Sequence, residues 1–280
     1  DLLALIMDAE GMLGVVTEVT VRLLPSPPDK RVLLAPFSDV RAAADAVGAI
    51  IAEGIVPAGL EMMDAPAIRA AEAFVHAGYP TDAAAILLCE LDGVAEEVAS
   101  DLARVTRVLN AHGAGEIRVA ASPEDQARLW LGRKAAFPAV GRIAPDYYCM
   151  DGTIPRAHLA DVLDRIARMA EAHGLAVANV FHAGDGNLHP LILYDANEPG
   201  QLEQAEALGA RILELCVAVG GTVTGEHGVG VEKLDTMCRQ FDAQTLAQMH
   251  AVKAAFDPDG LLNPGKAVPE LARCAELGGM

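Results

Sequence analysis

The sequence predicts an α+β fold, a ferredoxin-like layering of helices on one side of a largely antiparallel sheet. Three observations carry that expectation. Strand–helix–strand units recur three times after residue 30, and their helices have a polar face. Two apolar runs also flank Asp185-Gly186, a pair that signals a tight hairpin. A doubly wound parallel sheet is the alternative, and the hairpin argues against it.

Residues 1–29 read as a short apolar strand, a turn at Glu10-Gly11-Met12-Leu13-Gly14 and a β-branched strand from Val15 to Leu24. Pro25, Pro27 and Pro28 end that sheet and mark a boundary. A lone strand–turn–strand cannot bury a core, so these residues are expected to complete a sheet whose other strands lie elsewhere. From Arg31 the units begin. Val32-Leu33-Leu34 leads to a helix from Val40 to Glu53 and a strand near Gly59 to Met62. Ala84 to Glu90 leads to an amphipathic helix from Val94 to His112 and a strand at Ile117 to Val119. After a helix beginning near Pro123, Tyr147 to Met150 leads to a helix from Ala157 to His173 and then to the hairpin. Helices from Leu202 to Val219 and Ala243 to Phe256 follow, before the tail Asp259 to Lys266.

Composition narrows the function classes. Hydrophobic residues make up 52% against 21% charged, which suits a well-cored domain rather than a disordered chain. A net charge of −18 argues against nucleic-acid or anionic-membrane surfaces. No apolar run reaches the roughly 18 residues of a membrane span. The five cysteines are far apart and form no C-x-x-C pair. Neither a disulfide framework nor a self-contained iron–sulfur cluster is legible, and a reducing cytoplasm fits. With no Met at position 1 and no basic region before the apolar start, the chain has no signal peptide and reads as the middle of a longer protein.

The chemistry concentrates at Phe181-His182-Ala183-Gly184-Asp185-Gly186-Asn187-Leu188-His189. With Asp185-Gly186 as a two-residue turn, His182 stands directly opposite His189, their Cβ atoms roughly 4.5–5.5 Å apart. Glu226, in Gly225-Glu226-His227-Gly228, offers a third ligand. A His/His/Glu set with an open position is the layout of a catalytic divalent metal: zinc, manganese or iron. The bland alternative is two histidines edging a hairpin and a solvated glutamate. His227, between glycines and beside the proposed ligand, is a candidate general base or an alternative ligand. Arg133, after Trp130 and Gly132, is a candidate clamp for a substrate carboxylate, or simply an arginine near a helix end. Asp185 reads as a turn residue and Cys149 as a core cysteine. A metal-dependent hydrolase using the same His/His/Glu set, and a non-catalytic ferredoxin-like module, are the competing functions.

The stretches His182 to His189, Thr224-Gly225-Glu226-His227-Gly228 and Leu262-Asn263-Pro264-Gly265-Lys266 resemble the C-terminal half of the FAD-linked oxidases of the vanillyl-alcohol-oxidase-like superfamily. Glu10 to Glu18 resembles the last FAD-contacting segment of such a flavin domain. Gly132 to Pro138, with Pro145 to Pro155, is most similar to the FAD subunit of bacterial glycolate oxidases. The resemblance implies residues 1–29 as the C-terminal strands of an FAD-binding domain and residues 30–280 as the substrate/cap domain. It implies FAD-dependent, metal-assisted oxidation of a small 2-hydroxy acid, glycolate or D-lactate, to the 2-oxo acid. His182, His189 and Glu226 then match the metal ligands, His227 the catalytic base and Arg133 the substrate-carboxylate arginine. Glu10, Gly11, Gly14, Val15 and Asn263 match flavin-side positions. Cys149 and Met150 occupy a place where some relatives carry a lysine, which implies a substrate without a distal carboxylate. The main FAD-binding half is absent, so the fragment is expected to be inactive alone. The resemblance further implies an iron–sulfur electron-acceptor subunit and a cytoplasmic protein, peripheral at the inner membrane through its partners.

Overall fold

Alternating apolar residues build both faces of the first strand, β1 (Asp29–Phe37). Val32 and Leu34 bury on one side, and Leu33, Ala35 and Phe37 on the other. The computed structural model describes residues 1–276, and seven such strands join in one sheet. The remaining elements are α1 (Leu2–Ile6), α2 (Val40–Ala52), β2 (Gly59–Asp64), α3 (Ala65–Val75), β3 (Ala85–Gly93), α4 (Ala95–Ala111) and β4 (Arg118–Val119). They continue with α5 (Pro123–Val140), β5 (Asp146–Cys149), α6 (Leu159–His173), β6 (Ala176–Phe181) and β7 (Pro190–Tyr194). The chain then runs through α7 (Gln201–Ala218), α8 (Leu234–Gln240), α9 (Ala243–Phe256) and α10 (Leu271–Glu276).

The strand order is β4-β1-β3-β2-β6-β7-β5, and every neighbouring pair is antiparallel. The order resolves into two ferredoxin-like halves. In the first, β1-α2-β2 and β3-α4-β4 interleave as β4-β1-β3-β2. In the second, β5-α6-β6 and β7-α7 give β6-β7-β5, and the place of a fourth strand is taken by the single bridge Thr153↔Thr222. The halves meet edge to edge where Met62 pairs with Phe181 and Met63 with Val180.

Helices α2, α4, α6 and α7 pack one face around Leu33, Leu87, Phe181 and Ile192. The expectation of helices on one side only is corrected. α3 and α5 cover the other face, where Ile68, Leu129 and Ala136 pack on Val32, Met63, Ile86 and Leu88. α3 begins sharply because the Asp64 carboxylate accepts the Ala67 N–H and Pro66 sits in the first turn. This second layer explains why the strands read as continuous apolar runs.

Two further expectations fail. Residues 1–24 form no strands: Leu2–Ile6 is helical, with the Asp1 carboxylate accepting the N–H groups of Leu3 and Ala4. The turn at Glu10 is present, with Met12 N–H donating to the Ala9 carbonyl. Beyond it Val15, Val19, Val21 and Leu23 are all exposed, and a strand pattern without a neighbouring strand has nothing to pair with. Cys238 and Cys274 form a disulfide, although their spacing signalled no pair. α8 and α10 bring them together, and they pack with Leu246 in a small separate cluster. Among the described residues, no helix is long and apolar enough to cross a membrane.

Candidate metal centre

The hairpin between β6 and β7 positions two of the three proposed ligands. Phe181 packs toward α2 and α6, so strand alternation turns His182 to the α3/α5 face, where Leu191 also lies. The expected register is corrected by two residues: His182 bridges Asn187, and Asn179 pairs with Pro190. The favoured two-residue turns at Asp185-Gly186 need positive φ at the first residue, and here only the second, Gly186, has it, at 75°. The loop is therefore four residues, Ala183 to Gly186, with Asp185 and Gly186 N–H groups donating to the His182 carbonyl. Its tip is pinned to β2 by the Gly184 N–H on the Leu60 carbonyl. A slip of two keeps side chains on the same face, whereas a slip of one would have separated the histidines. Their rings meet edge to face with centroids 5.3 Å apart.

Glu226 closes the set. Its Oε1 lies 3.1 Å from His189 Nε2, 3.6 Å from His182 Nε2 and 3.6 Å from His227 Nε2. His182, His189 and Glu226 each offer a ligand atom within 4.8 Å of the others. His189 is 1% exposed, and its Nε2, although 3.1 Å from Glu226 Oε1, makes no hydrogen bond of acceptable geometry, an orphan that buried polar atoms seldom tolerate. Burial pushes its pKa down to about 4, with the neighbouring His227 adding to the effect, so the ring is neutral at pH 7, the form that ligates metal. His182 is held differently. Its Nδ1 is 2.8 Å from Glu61 Oε1, and this hydrogen bond raises its pKa and leaves Nε2 free toward Glu226. An orphaned imidazole nitrogen, an oriented second imidazole and a carboxylate fit a divalent cation. A second triplet, Cys149, His189 and His227, is equally close. Cys149 Sγ sits 3.9 Å from His189 Nδ1, and burial pushes the thiol up to about 12. The residue is half-buried, packed against the core on the α3/α5 face and beside the site.

His227 stacks on His189 with centroids 4.8 Å apart, and its ring is partly exposed. Arg133, on α5, is buried, with Nε 3.0 Å and Nη2 2.9 Å from Glu61 Oε2. Glu61 thus joins Arg133 to His182. On the opposite side of Glu226, Glu10 accepts the N–H groups of Val229 and Gly230 at 2.7 Å each. The Asn263 amide donates to the Glu10 carbonyl, and a Cβ on Gly11 would fall 2.8 Å from Asn263 Nδ2. Glu10, Gly11 and Asn263 therefore gather at the Gly225–Gly230 loop. Gly14 and Val15 do not; Val15 is exposed in the unpaired segment. Two small cavities flank Glu226. One of about 320 Å³ is lined by Thr153, His182, Asp185 and Asn187, and the other of about 310 Å³ by Asp8, Glu10, Thr224 and His227.

Sequence reasoning missed Glu61, Asp151, Asn187 and Lys233. Asp151 is 0% exposed and Lys233 3%, with Nζ 3.1 Å from Asp151 Oδ2. The signal was present for two of them. Glu61 is a lone charge inside the apolar Leu60-Glu61-Met62-Met63, and Asp151 ends another such run.

Residues 26–267 match the family described as FAD linked oxidases, C-terminal domain. The chain is 64% identical to the glycolate oxidase subunit GlcD of Escherichia coli (strain K12), over 100% of this chain and 56% of that protein. It is 38% identical to GlcD of Bacillus subtilis (98% and 58%), and 33% identical to the mitochondrial D-lactate dehydrogenase [cytochrome] of Arabidopsis thaliana (96% and 47%). The chain spans about half the length of these relatives. Among solved structures, 4-ethylphenol oxidase from Gulosibacter chungangensis superposes with a TM-score of 0.68 at 15% identity, covering 89% of this chain and 56% of that one. p-Cresol methylhydroxylase gives 0.65 at 17% identity, covering 89% and 54%. These two likenesses concern the fold. With the family match over residues 26–267, the chain belongs to the FAD linked oxidases, as their C-terminal domain.

Proposed function

We propose that this chain supplies the substrate and metal half of an enzyme that oxidises a small 2-hydroxy acid, glycolate or D-lactate, to its 2-oxo acid with FAD. The observation that carries the reading is the convergence of three imidazole Nε2 atoms on Glu226 Oε1, one of them buried and making no hydrogen bond. In this reading residues 1–29 belong to a preceding FAD-binding domain and residues 30–280 to the substrate domain. The exposed Val15–Leu24 stretch supports that division, because it carries a strand pattern with no strand beside it.

His182 Nε2, His189 Nε2 and Glu226 hold a divalent cation, zinc, manganese or iron. When bound, the cation supplies Lewis acidity toward the hydroxyl and carboxylate oxygens, and FAD supplies the hydride acceptor. The rest is done by the chain's own side chains. Arg133 contributes positive charge toward the substrate carboxylate while Glu61 fixes its orientation. His227 Nε2 takes the hydroxyl proton; its ring is exposed enough to pass the proton to water. The cavities of about 310–320 Å³ beside Glu226 have room for a small 2-hydroxy acid. Glu10, Gly11 and Asn263, which meet at the Gly225–Gly230 loop, form the flavin side; Gly14 and Val15 lie outside that cluster and are assigned to it by the resemblance alone. In this reading an iron–sulfur subunit receives the electrons; the word subunit in the names of the GlcD relatives supports a multi-subunit assembly only.

A cytoplasmic setting, with the inner membrane reached through partner subunits, completes the reading. Cys89, Cys149 and Cys216 are unpaired in its favour, the Cys238–Cys274 disulfide stands against it, and a thiol count on freshly isolated protein decides. The test of the activity is flavin bleaching in a protein of the relatives' full length, mixed anaerobically with glycolate, D-lactate or D-2-hydroxyglutarate. Bleaching by glycolate or D-lactate is expected. Failure of all three to bleach the flavin contradicts the reading.

A further inference from the structure

We infer that Asp151 is a positioning residue that holds Glu226 and His227 in place against His189, with Lys233 as its charge partner; this rests on the metal reading above. Asp151 touches no ligand atom. Its effect runs through the backbone of the Thr224–His227 segment.

Three successive N–H groups point at one carboxylate. Those of Gly225 and His227 lie 3.1 and 2.9 Å from Asp151 Oδ2, and that of Glu226 lies 3.1 Å from Oδ1. The Thr224 hydroxyl donates to Oδ2 at 2.7 Å, and the Asn187 amide to Oδ1 at 2.9 Å. Lys233 Nζ adds a charged donor at 3.1 Å. An ionised carboxylate accepts at both oxygens and suits this crowd of donors; an amide would offer one oxygen and turn an NH₂ toward N–H groups. Asp151 is also tied to the histidine strand. Met150 N–H donates to the Pro190 carbonyl and Leu188 N–H to the Gly152 carbonyl, which sets Asp151 across from His189 in the β5–β7 register. One side chain therefore links the strand bearing His189, the hairpin residue Asn187, and the loop bearing Glu226 and His227.

Stability alone does not account for this arrangement. A buried ion pair seldom stabilises a fold more than a well-packed apolar pair of similar volume does. Here the pair's other donors are the main-chain N–H groups of a candidate ligand and base. Gly225 enforces the close approach, since a Cβ there would fall 2.1 Å from Asn187 Nδ2. Gly221 does so one strand back, where a Cβ would lie 2.0 Å from the Thr153 carbonyl.

The test separates positioning from packing. Co²⁺ is titrated into the 280-residue chain as wild type, Asp151→Asn, and the double variant Asp151→Asn/Lys233→Met. The visible absorption of bound Co²⁺ and the melting temperature are read together. Wild type is expected to bind one Co²⁺, and Asp151→Asn to bind it ~10–100-fold more weakly with an altered visible spectrum. The double variant removes the unpaired charge; it is expected to recover melting temperature and to keep the weakened affinity. A double variant, or a folded single variant, with wild-type affinity and spectrum overturns the inference while leaving the metal reading intact. A wild-type chain that takes up no Co²⁺ overturns both.

Discussion

The two ferredoxin-like halves share a topology and divide the work. In the first half the fourth strand, β4, pairs with β1 and leads through the Ser122 cap directly into α5. In the second, the fourth strand has shrunk to Thr222, and the chain it releases becomes the loop that carries Glu226 and His227. The candidate site therefore stands where the second half gives up regular structure. The first half contributes support across the β2–β6 seam. Glu61 reaches His182, and Asp64 accepts both the backbone and the side-chain N–H groups of Asn179. A rigid half steadies a half that has traded a strand for a site.

The largest effect that would break this division is at the seam. Glu61→Gln leaves the buried Arg133 without its counter-charge and leaves one acceptor oxygen to serve both Arg133 and His182 Nδ1. It is expected to cost about 3–5 kcal/mol in a urea melt and to weaken metal binding as well. Leu87→Ala, in the first-half core, is expected to cost about 2–5 kcal/mol and leave Co²⁺ affinity unchanged. Lost affinity there would show that the halves are not separable. Gly186→Ala asks the second half for positive φ with a Cβ 2.2 Å from the Ile154 carbonyl. A cost of at least about 1–3 kcal/mol is expected, together with weaker metal binding, because the hairpin sets the spacing of the histidines.

Acid sharpens the comparison further. Burial works to raise the Asp151 pKa, but Thr224, Asn187, the His227 N–H and Lys233 outweigh it and hold the carboxyl well below the usual range. A depressed folded-state value contributes stability above the ordinary carboxylate pKa of about 4, and that contribution is lost as pH falls through and below it. Urea midpoints measured from pH 7 to pH 3 should fall less steeply for Asp151→Asn/Lys233→Met than for wild type; parallel slopes would contradict the assignment. The smallest expected effect is on the first-half surface. Arg41→Ala, which removes exposed pairs to Asp161 and Asp164, should leave the melting temperature and Co²⁺ affinity unchanged.

Much of this was legible in the residues. Alternation and helical period gave the strands β1 to β7 and the helices α2, α4, α6 and α7 because each has a clear apolar face; α9 was also found, although Leu246 is its one buried residue. α3 was not legible: Ala65 to Val75 is short and alanine-rich, and its layer becomes visible only once Ile68 and Ala71 are seen against Met63 and Ile86. The histidines were found by their symmetric spacing about Asp185-Gly186, yet the turn type, and with it the register, depends on which residue takes positive φ. Glu61, Asp151 and Lys233 lie 121, 75 and 82 residues from the partners they hold, His182, Glu226 and Asp151, and no local pattern reports partners that only tertiary packing brings together. The Val15–Leu24 stretch shows the converse, a strand pattern that the described residues leave unpaired.

The most direct measurement is the metal content of the purified 280-residue chain and of His189→Ala after both are equilibrated with excess Zn²⁺, Mn²⁺ or Fe²⁺ and desalted. One equivalent of one of these metals in the wild type and none in the variant is the predicted result. Equal metal content in the two proteins, at any level, would contradict ligation by His182, His189 and Glu226.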